Sequence, residues 1–361
     1  MMDEMRVALL GSLLLVLAGC APPPAPPDPA LWGSLKPGPY AVGFGLRWET
    51  DPSRVYGLEK DGVTKKPRPI PVGVWYPARS SPAEHMQVAD YFDMRSKQVQ
   101  FDELANRLNG QIRGALAQSL GDPSAVNRFL AMRAGATFDA PPAKGQFPVV
   151  IYGSDVGYEE DFVLFEYLAS QGYVVLSSSY HSSHPTATLP IRGPDPAGVQ
   201  RRGPGDWYVR ERDMLFLHRF ASMLGNADPA HIAALGYGAG GEAVMWWAME
   251  EDTPLDGVAT LDSSQGFSTI FGAVPPEGPA TPSLQFAPPL RDVSDPQNGP
   301  HFRVIVPGLR HDDFVTTGIV REASRPHRDE YDRLCRLTLL FFDAYLKKSP
   351  AALAELKQSL K

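Results

Sequence analysis

One short segment carries most of the chemical information in this chain: Gly236-Tyr237-Gly238-Ala239-Gly240-Gly241, placed directly after an apolar run and before a helical one. A turn of the form G-x-S-x-G between a strand and a helix holds a nucleophilic serine with its hydroxyl exposed. The spacing here has that form except at its centre, where Gly238 stands in place of the serine. The flanking glycines make sense if the turn is sharp enough for side chains at 236 and 240 to meet neighbouring backbone. The central residue of such a turn is strained by about 1–3 kcal/mol when it carries a side chain, and glycine is not. Gly238 therefore keeps the turn and removes the hydroxyl. A plain glycine-rich strand-to-helix turn of the kind that binds phosphate also fits the string.

Elements of the right type surround this turn. Tyr40 to Trp48 and Ile70 to Tyr76 read as two antiparallel strands at a sheet edge. Between about 84 and 141 the pattern turns helical: Phe101, Leu104, Leu108, Ile112, Leu116 and Leu120 recur at helical spacing. Asp122 and Pro123 then offer a cap and a first-turn proline to a second helix. This insertion is read as a packing layer, with a lid as the other reading. Strand and helix then alternate: Phe147 to Tyr152, a helix ending at Gly172, Tyr173 to Ser178, a helix from about Asp206 to Leu224, and His231 to Tyr237. Next come the helix behind Gly240, short strands at Gly257 to Leu261, Ser283 to Phe286 and Phe302 to Val306, and a closing helix through Tyr331, Phe342 and Leu346. Such alternation implies an α/β fold with a mainly parallel sheet covered by helices on both faces, and a helical insertion before its third strand.

The order of several segments resembles the platelet-activating-factor acetylhydrolase and dienelactone-hydrolase branch of the α/β hydrolases, from Gly38 onward. The marks are Val72-Gly73-Val74-Trp75-Tyr76-Pro77, Phe147-Pro148-Val149-Val150, Leu168-Ala169-Ser170-Gln171-Gly172-Tyr173, Arg210, Asp213 and the glycine turn. The resemblance implies an α/β-hydrolase fold and a short acyl ester or lipid as ligand. It also implies an acid at Asp262, in Val258-Ala259-Thr260-Leu261-Asp262, and a base at His311, in Gly308-Leu309-Arg310-His311-Asp312-Asp313-Phe314. Strand ends along one edge of a parallel sheet converge, so residues this far apart in sequence can share a site. The oxyanion hole of such a site needs N–H donors near Ala239 and Val156. Family members commonly carry His-Gly in the second loop, whereas this chain reads Gly153-Ser154-Asp155-Val156-Gly157. An aspartate there places negative charge beside an oxygen that must become negative, unless it points outward.

Other hydroxyls are available at strand ends: Ser154, Ser177, Ser178, Ser179, Ser263 and Ser264. None has the elbow spacing. His181 and His184 lack the third and fourth ligands a zinc site needs, so no metal and no cofactor is expected. Three readings follow. In the first, the protein is a degenerate ester hydrolase without the covalent step. In the second, it is a slow hydrolase whose water is activated by His311 and Asp262. In the third, it is a binding protein for an acyl or lipid ligand.

The N-terminus sets the compartment. A short charged start leads into the apolar run Val7 to Leu17, then Ala18, Gly19 and Cys20, which reads as a secretory signal and is shorter than a membrane span. Its ending resembles the lipobox of bacterial lipoproteins, which implies residues 1–19 as signal peptide and Cys20 as the lipid-carrying membrane anchor. Ala21, where an aspartate is absent, favours outer-membrane sorting by the same resemblance. Residues 20–36 are then a proline-rich tether, and 37–361 one domain. The formal charge of −7 becomes −6 once Asp3, Glu4 and Arg6 are removed, with no basic run, so nucleic acid is not an expected partner. Of two cysteines, only Cys335 remains inside the domain, so no internal disulfide can form.

Overall fold

The computed structural model describes residues 27–58, 65–81, 83–93, 114, 116–118, 120–155, 157, 159–178, 205–249, 254–263, 279–289, 298–321 and 325–361. Its centre is a nine-stranded sheet: β1 Ala41–Leu58, β2 Lys65–Ala78, β3 Ala136–Phe138, β4 Phe147–Gly153, β5 Val174–Ser178, β6 Ala227–Tyr237, β7 Gly257–Leu261, β8 Ser283–Ala287 and β9 His301–Ile305. The spatial order is β3-β1-β2-β5-β4-β6-β7-β8-β9. β2 runs antiparallel to both β1 and β5, and every other pairing is parallel.

The central strands form because their residues are apolar on both faces, as a doubly covered parallel sheet requires. In β4, Val150 and Tyr152 point into one core with Trp75, Phe165, Tyr331 and Phe342. Val149 and Ile151 point into the other, with Met214, Leu217, Val244 and Trp247. Helices α4 Phe162–Ser170 and α8 Arg325–Tyr345 cover the first face, and α5 Gly205–Ala221 and α6 Gly238–Trp247 the second. Further helices among the described residues include α1 Pro29–Trp32, α2 Val88–Asp93, α3 Pro123–Leu130, α7 Thr316–Arg321 and α9 Pro350–Ser359.

Three elements differ from the sequence reading. First, the hairpin β1–β2 extends well past the expected strands. Its outer half buries charge rather than hydrocarbon: Arg54 pairs with Asp51 at 2.7 Å and Asp213 at 2.6 Å, and Arg68 grips Asp213 through two bonds of 2.8 and 2.7 Å. Hydrophobic patterning cannot register a strand whose buried side chains are ionic. Second, the block from 84 to 141 is not wholly helical, because β3 lies within it as three residues parallel to β1, too short to show a period. There α3 is capped by Asp122, whose side chain accepts from Ser124 N, and Tyr91 and Phe129 pack on Phe162. Phe101, Leu104, Leu108 and Ile112 lie outside the described residues. Third, the chain closes with α9, whose Leu356 is buried and whose first turn is capped by the Ser349 hydroxyl. No helix among the described residues is long and apolar enough to cross a membrane.

Candidate active site

The strand order reverses around β4, whose neighbours are β5 on one side and β6 on the other. The carboxyl ends of β4, β6, β7 and β9 lead to Asp155, Gly238, Asp262 and His311 respectively. A switch point of this kind is where an α/β sheet opens a crevice for a ligand.

Gly238 is the first residue of α6, three residues earlier than the sequence suggested, and has a φ of +53°. That left-handed backbone costs glycine little. The residues two positions to either side, Gly236 and Gly240, are glycine because backbone lies where their side chains would be. A Cβ on Gly240 would stand 1.9 Å from Gly153 O, and one on Gly236 would stand 2.6 Å from Gly240 O. The ends of β4 and β6 and the start of α6 thus meet through bare backbone.

A Cβ on Gly238 would stand 3.2 Å from His311 Cε1, 3.5 Å from His311 Nε2 and 3.4 Å from Asp155 Cγ. The structure therefore brings Gly238, His311 and Asp155 to one point. Asp262 joins them from behind, its Oδ2 2.8 Å from His311 Nδ1. With Nδ1–H donated to the carboxylate, Nε2 presents its lone pair on the Gly238 side. Asp262 is buried and has a φ of +41°, a strained backbone for a residue with a side chain, and its N–H donates to Phe286 O of β8 at 2.9 Å.

His311 opens a 3-10 turn, His311–Phe314, and its side chain is 39% exposed. The Tyr237 ring stacks on it at 4.7 Å, and the Tyr237 hydroxyl donates to the His311 carbonyl at 3.2 Å. The hydrogen bond to Asp262 holds the imidazole pKa above its ordinary value; burial opposes this, and the charges of Asp262, Asp155 and Asp312 add to it. Sequence reasoning missed Asp313, which anchors the turn. Its carboxylate accepts from Arg310 N at 2.8 Å and from Arg321 Nη2 at 2.5 Å. The available signal was its position three residues after Arg310, where a side chain can cap a turn.

The β4 loop is fixed by charge. Arg210 of α5, 5% exposed, donates to the carbonyls of Ser154 and Asp155, and its other terminal nitrogen lies 3.4 Å from Asp155 Oδ1. Asp155 N donates to Glu160 Oε1 at 2.7 Å. The Asp155 side chain consequently points at the elbow rather than outward. Val156 lies outside the described residues, as do Ser179, Ser264, His181, His184 and Cys20. Ala239 follows Gly238 in the first turn of α6.

No described serine hydroxyl is placed against the imidazole. Ser154 is buried and donates to Ser178 O at 2.6 Å, while Ser177 is fully buried in β5. Ser263 packs against the backbone at Gly241. Among the described residues, no group of three or more histidine, cysteine, aspartate or glutamate side chains is arranged to hold a metal. Chemically, the arrangement offers an imidazole polarised by a buried carboxylate, facing a glycine that carries no side chain.

No family model matches the chain, and no curated protein matches it. Among solved structures it is similar to a ferulic acid esterase from Streptomyces cinnamoneus, with 19% identity, a TM-score of 0.57, and coverage of 87% of this chain and 93% of the other. The mainly parallel sheet, its helices on both faces and this likeness together show that the chain has the α/β-hydrolase fold.

Proposed function

We propose that this protein is a degenerate member of the ester-hydrolase group of α/β hydrolases, lipid-anchored to the cell envelope through Cys20. It keeps the acid–base pair and lacks the covalent step. The observation that carries this reading is the geometry at the elbow. A left-handed glycine stands where a side chain would point at His311 Nε2, 3.5 Å from the missing Cβ, while Asp262 holds the far side of the ring at 2.8 Å. Asp262 is the acid and His311 the base. Ala239 and Val156 are the residues whose N–H groups would face the ester oxygen. An esterase among the structures of similar fold agrees with a short acyl ester or lipid as ligand, and no step calls for a metal or cofactor.

A fluorophosphonate probe, which labels activated serines, is expected to leave the wild-type protein unmodified. Stoichiometric labelling of any serine, located by mass spectrometry, would show a substitute nucleophile and overturn the reading. Slow turnover remains compatible with it, because a serine protease stripped of a triad member still accelerates hydrolysis about 10³–10⁴-fold over water.

A further inference from the structure

Asp155 has no part in the roles assigned above, yet it is built into the site. Its Cγ lies 3.4 Å from the position of the missing Gly238 Cβ, and His311 Nε2 lies 3.5 Å from that same point. Two acceptors of different kinds thus flank one position: a carboxylate, and an imidazole nitrogen whose partner nitrogen is committed to Asp262. A serine hydroxyl has one hydrogen and could serve only one of them. Water has two and can serve both. The carboxylate is also held in place, since Arg210 braces the Ser154 and Asp155 carbonyls and Glu160 accepts the Asp155 N–H at 2.7 Å.

We propose that the absence of a side chain at Gly238 leaves room beyond it for a hydrolytic water between His311 Nε2 and the Asp155 carboxylate, and that Asp155 orients this water for direct attack on an acyl ester. The inference rests on the reading of the protein as an ester-hydrolase scaffold without a serine nucleophile. In the step, the water oxygen forms a bond to the acyl carbon while His311 Nε2 takes one of its protons, and the carbonyl π electrons move onto oxygen. The carbonyl then re-forms, the bond to the alcohol oxygen breaks, and the proton on Nε2 passes to that leaving oxygen. The products are a carboxylic acid and an alcohol. No bond to the protein forms and no further reactant is consumed. Asp155 accepts the second water hydrogen in a hydrogen bond and takes up no proton in the step.

This role reverses if a serine is installed. A serine oxygen is positioned by its own covalent bonds, so a neighbouring carboxylate adds only repulsion to the developing negative charge. Free water has no such tether and needs its second acceptor. Asp155 therefore has opposite effects in the two backgrounds, which a merely structural residue would not.

The test is hydrolysis of p-nitrophenyl acetate and butyrate by the full-length chain, with folding of each variant checked by circular dichroism. Asp155→Asn is expected to slow the wild-type rate about tenfold, the worth of one hydrogen bond between a charged group and the attacking water. Asp155→Glu should restore part of it. Gly238→Ala, whose methyl crowds the water between His311 and Asp155, should slow it as well, and His311→Ala should remove the ~10²–10⁴-fold supplied by a general base. In the Gly238→Ser background, Asp155→Asn should instead raise the rate.

The pH profile gives an independent readout. His311 faces Asp262, Asp155 and Asp312, with the Tyr237 ring stacked on it. Removing the Asp155 charge should move the rising limb of the profile to lower pH. An Asp155→Asn rate equal to or above wild type, an effect of the same sign in both backgrounds, or a wild type no faster than His311→Ala would each overturn the inference. With fluorophosphonate labelling absent, all of these leave the degenerate-hydrolase reading standing. Labelling of a wild-type serine would defeat that reading instead.

Discussion

Gly238→Ser makes two demands on the elbow. A side chain at φ +53° is strained, and its Cβ would sit 3.2 Å from His311, which must give by a few tenths of an ångström, and in contact with Asp155 at 3.4 Å. The variant is expected to lose about 1–3 kcal/mol of stability in urea denaturation, the usual cost of one strained residue. It should gain hydrolysis of p-nitrophenyl acetate, because its hydroxyl falls within reach of Nε2. Adding Asp155→Gly, which removes the charge beside the reacting oxygen, should enlarge the gain, and adding His311→Ala should abolish it. A folded double variant no faster than wild type would rule out the proposed roles of His311 and Asp262.

The elbow is an element-scale object, made where β4, β6 and α6 touch. Gly240→Ala would press a methyl 1.9 Å from Gly153 O and 2.9 Å from Ser154 O, both backbone atoms that cannot swing aside. It should cost at least the ~1–3 kcal/mol typical of overpacking and lower any hydrolytic rate by displacing the β4 loop. Gly225→Ala is the control. Nothing lies within 4 Å of its added Cβ, so its urea midpoint should stay within the range of an ordinary surface change, about ±0.5 kcal/mol. Equal midpoints for the two variants would show that the three elements do not meet as closely as described. The flanking glycines were legible in the sequence because a sharp turn demands them locally. That Gly240 abuts Gly153, nearly ninety positions earlier in the chain, was not, since it depends on β4 and β6 being neighbours.

At the scale of the whole molecule, Asp213 ties the outer half of the β1–β2 hairpin to α5 through Arg54 and Arg68. Burial pushes its carboxyl pKa up, but the two guanidinium charges and their hydrogen bonds outweigh that and hold it down at about 2. Asp213→Asn removes the buried carboxylate that Arg54 and Arg68 share, with Asp51 still beside Arg54, and is expected to cost about 3–5 kcal/mol near neutral pH, as for other broken buried ion pairs. The folded pKa is depressed, so the contribution is present above the unfolded value and is lost as pH falls through about 2. The stability gap between wild type and Asp213→Asn should therefore narrow between pH 4 and 2. A gap independent of pH would exclude the charge as its source. Attachment of the whole molecule is tested at the other end of the chain: Cys20→Ser is expected to release the protein from the membrane fraction, and continued tight association would exclude the proposed lipid anchor.

Sequence alone determined what depends on near neighbours: the alternation of strand and helix, because burial on one or both faces imposes a period; and the tight turn at 236–240, because glycine fits it, with no hydroxyl at 238. Tertiary structure decided what depends on sheet order. It paired β4 with β5 and β6, buried Arg68 of the β1–β2 hairpin against Asp213 of α5, a pairing that hydrophobicity does not reveal, and turned Asp155 toward Gly238 instead of solvent. The direction of that one side chain is set by Arg210 and Glu160, and no periodicity or local propensity encodes it. It follows from which strand ends are adjacent and which charges the folded chain places behind the loop.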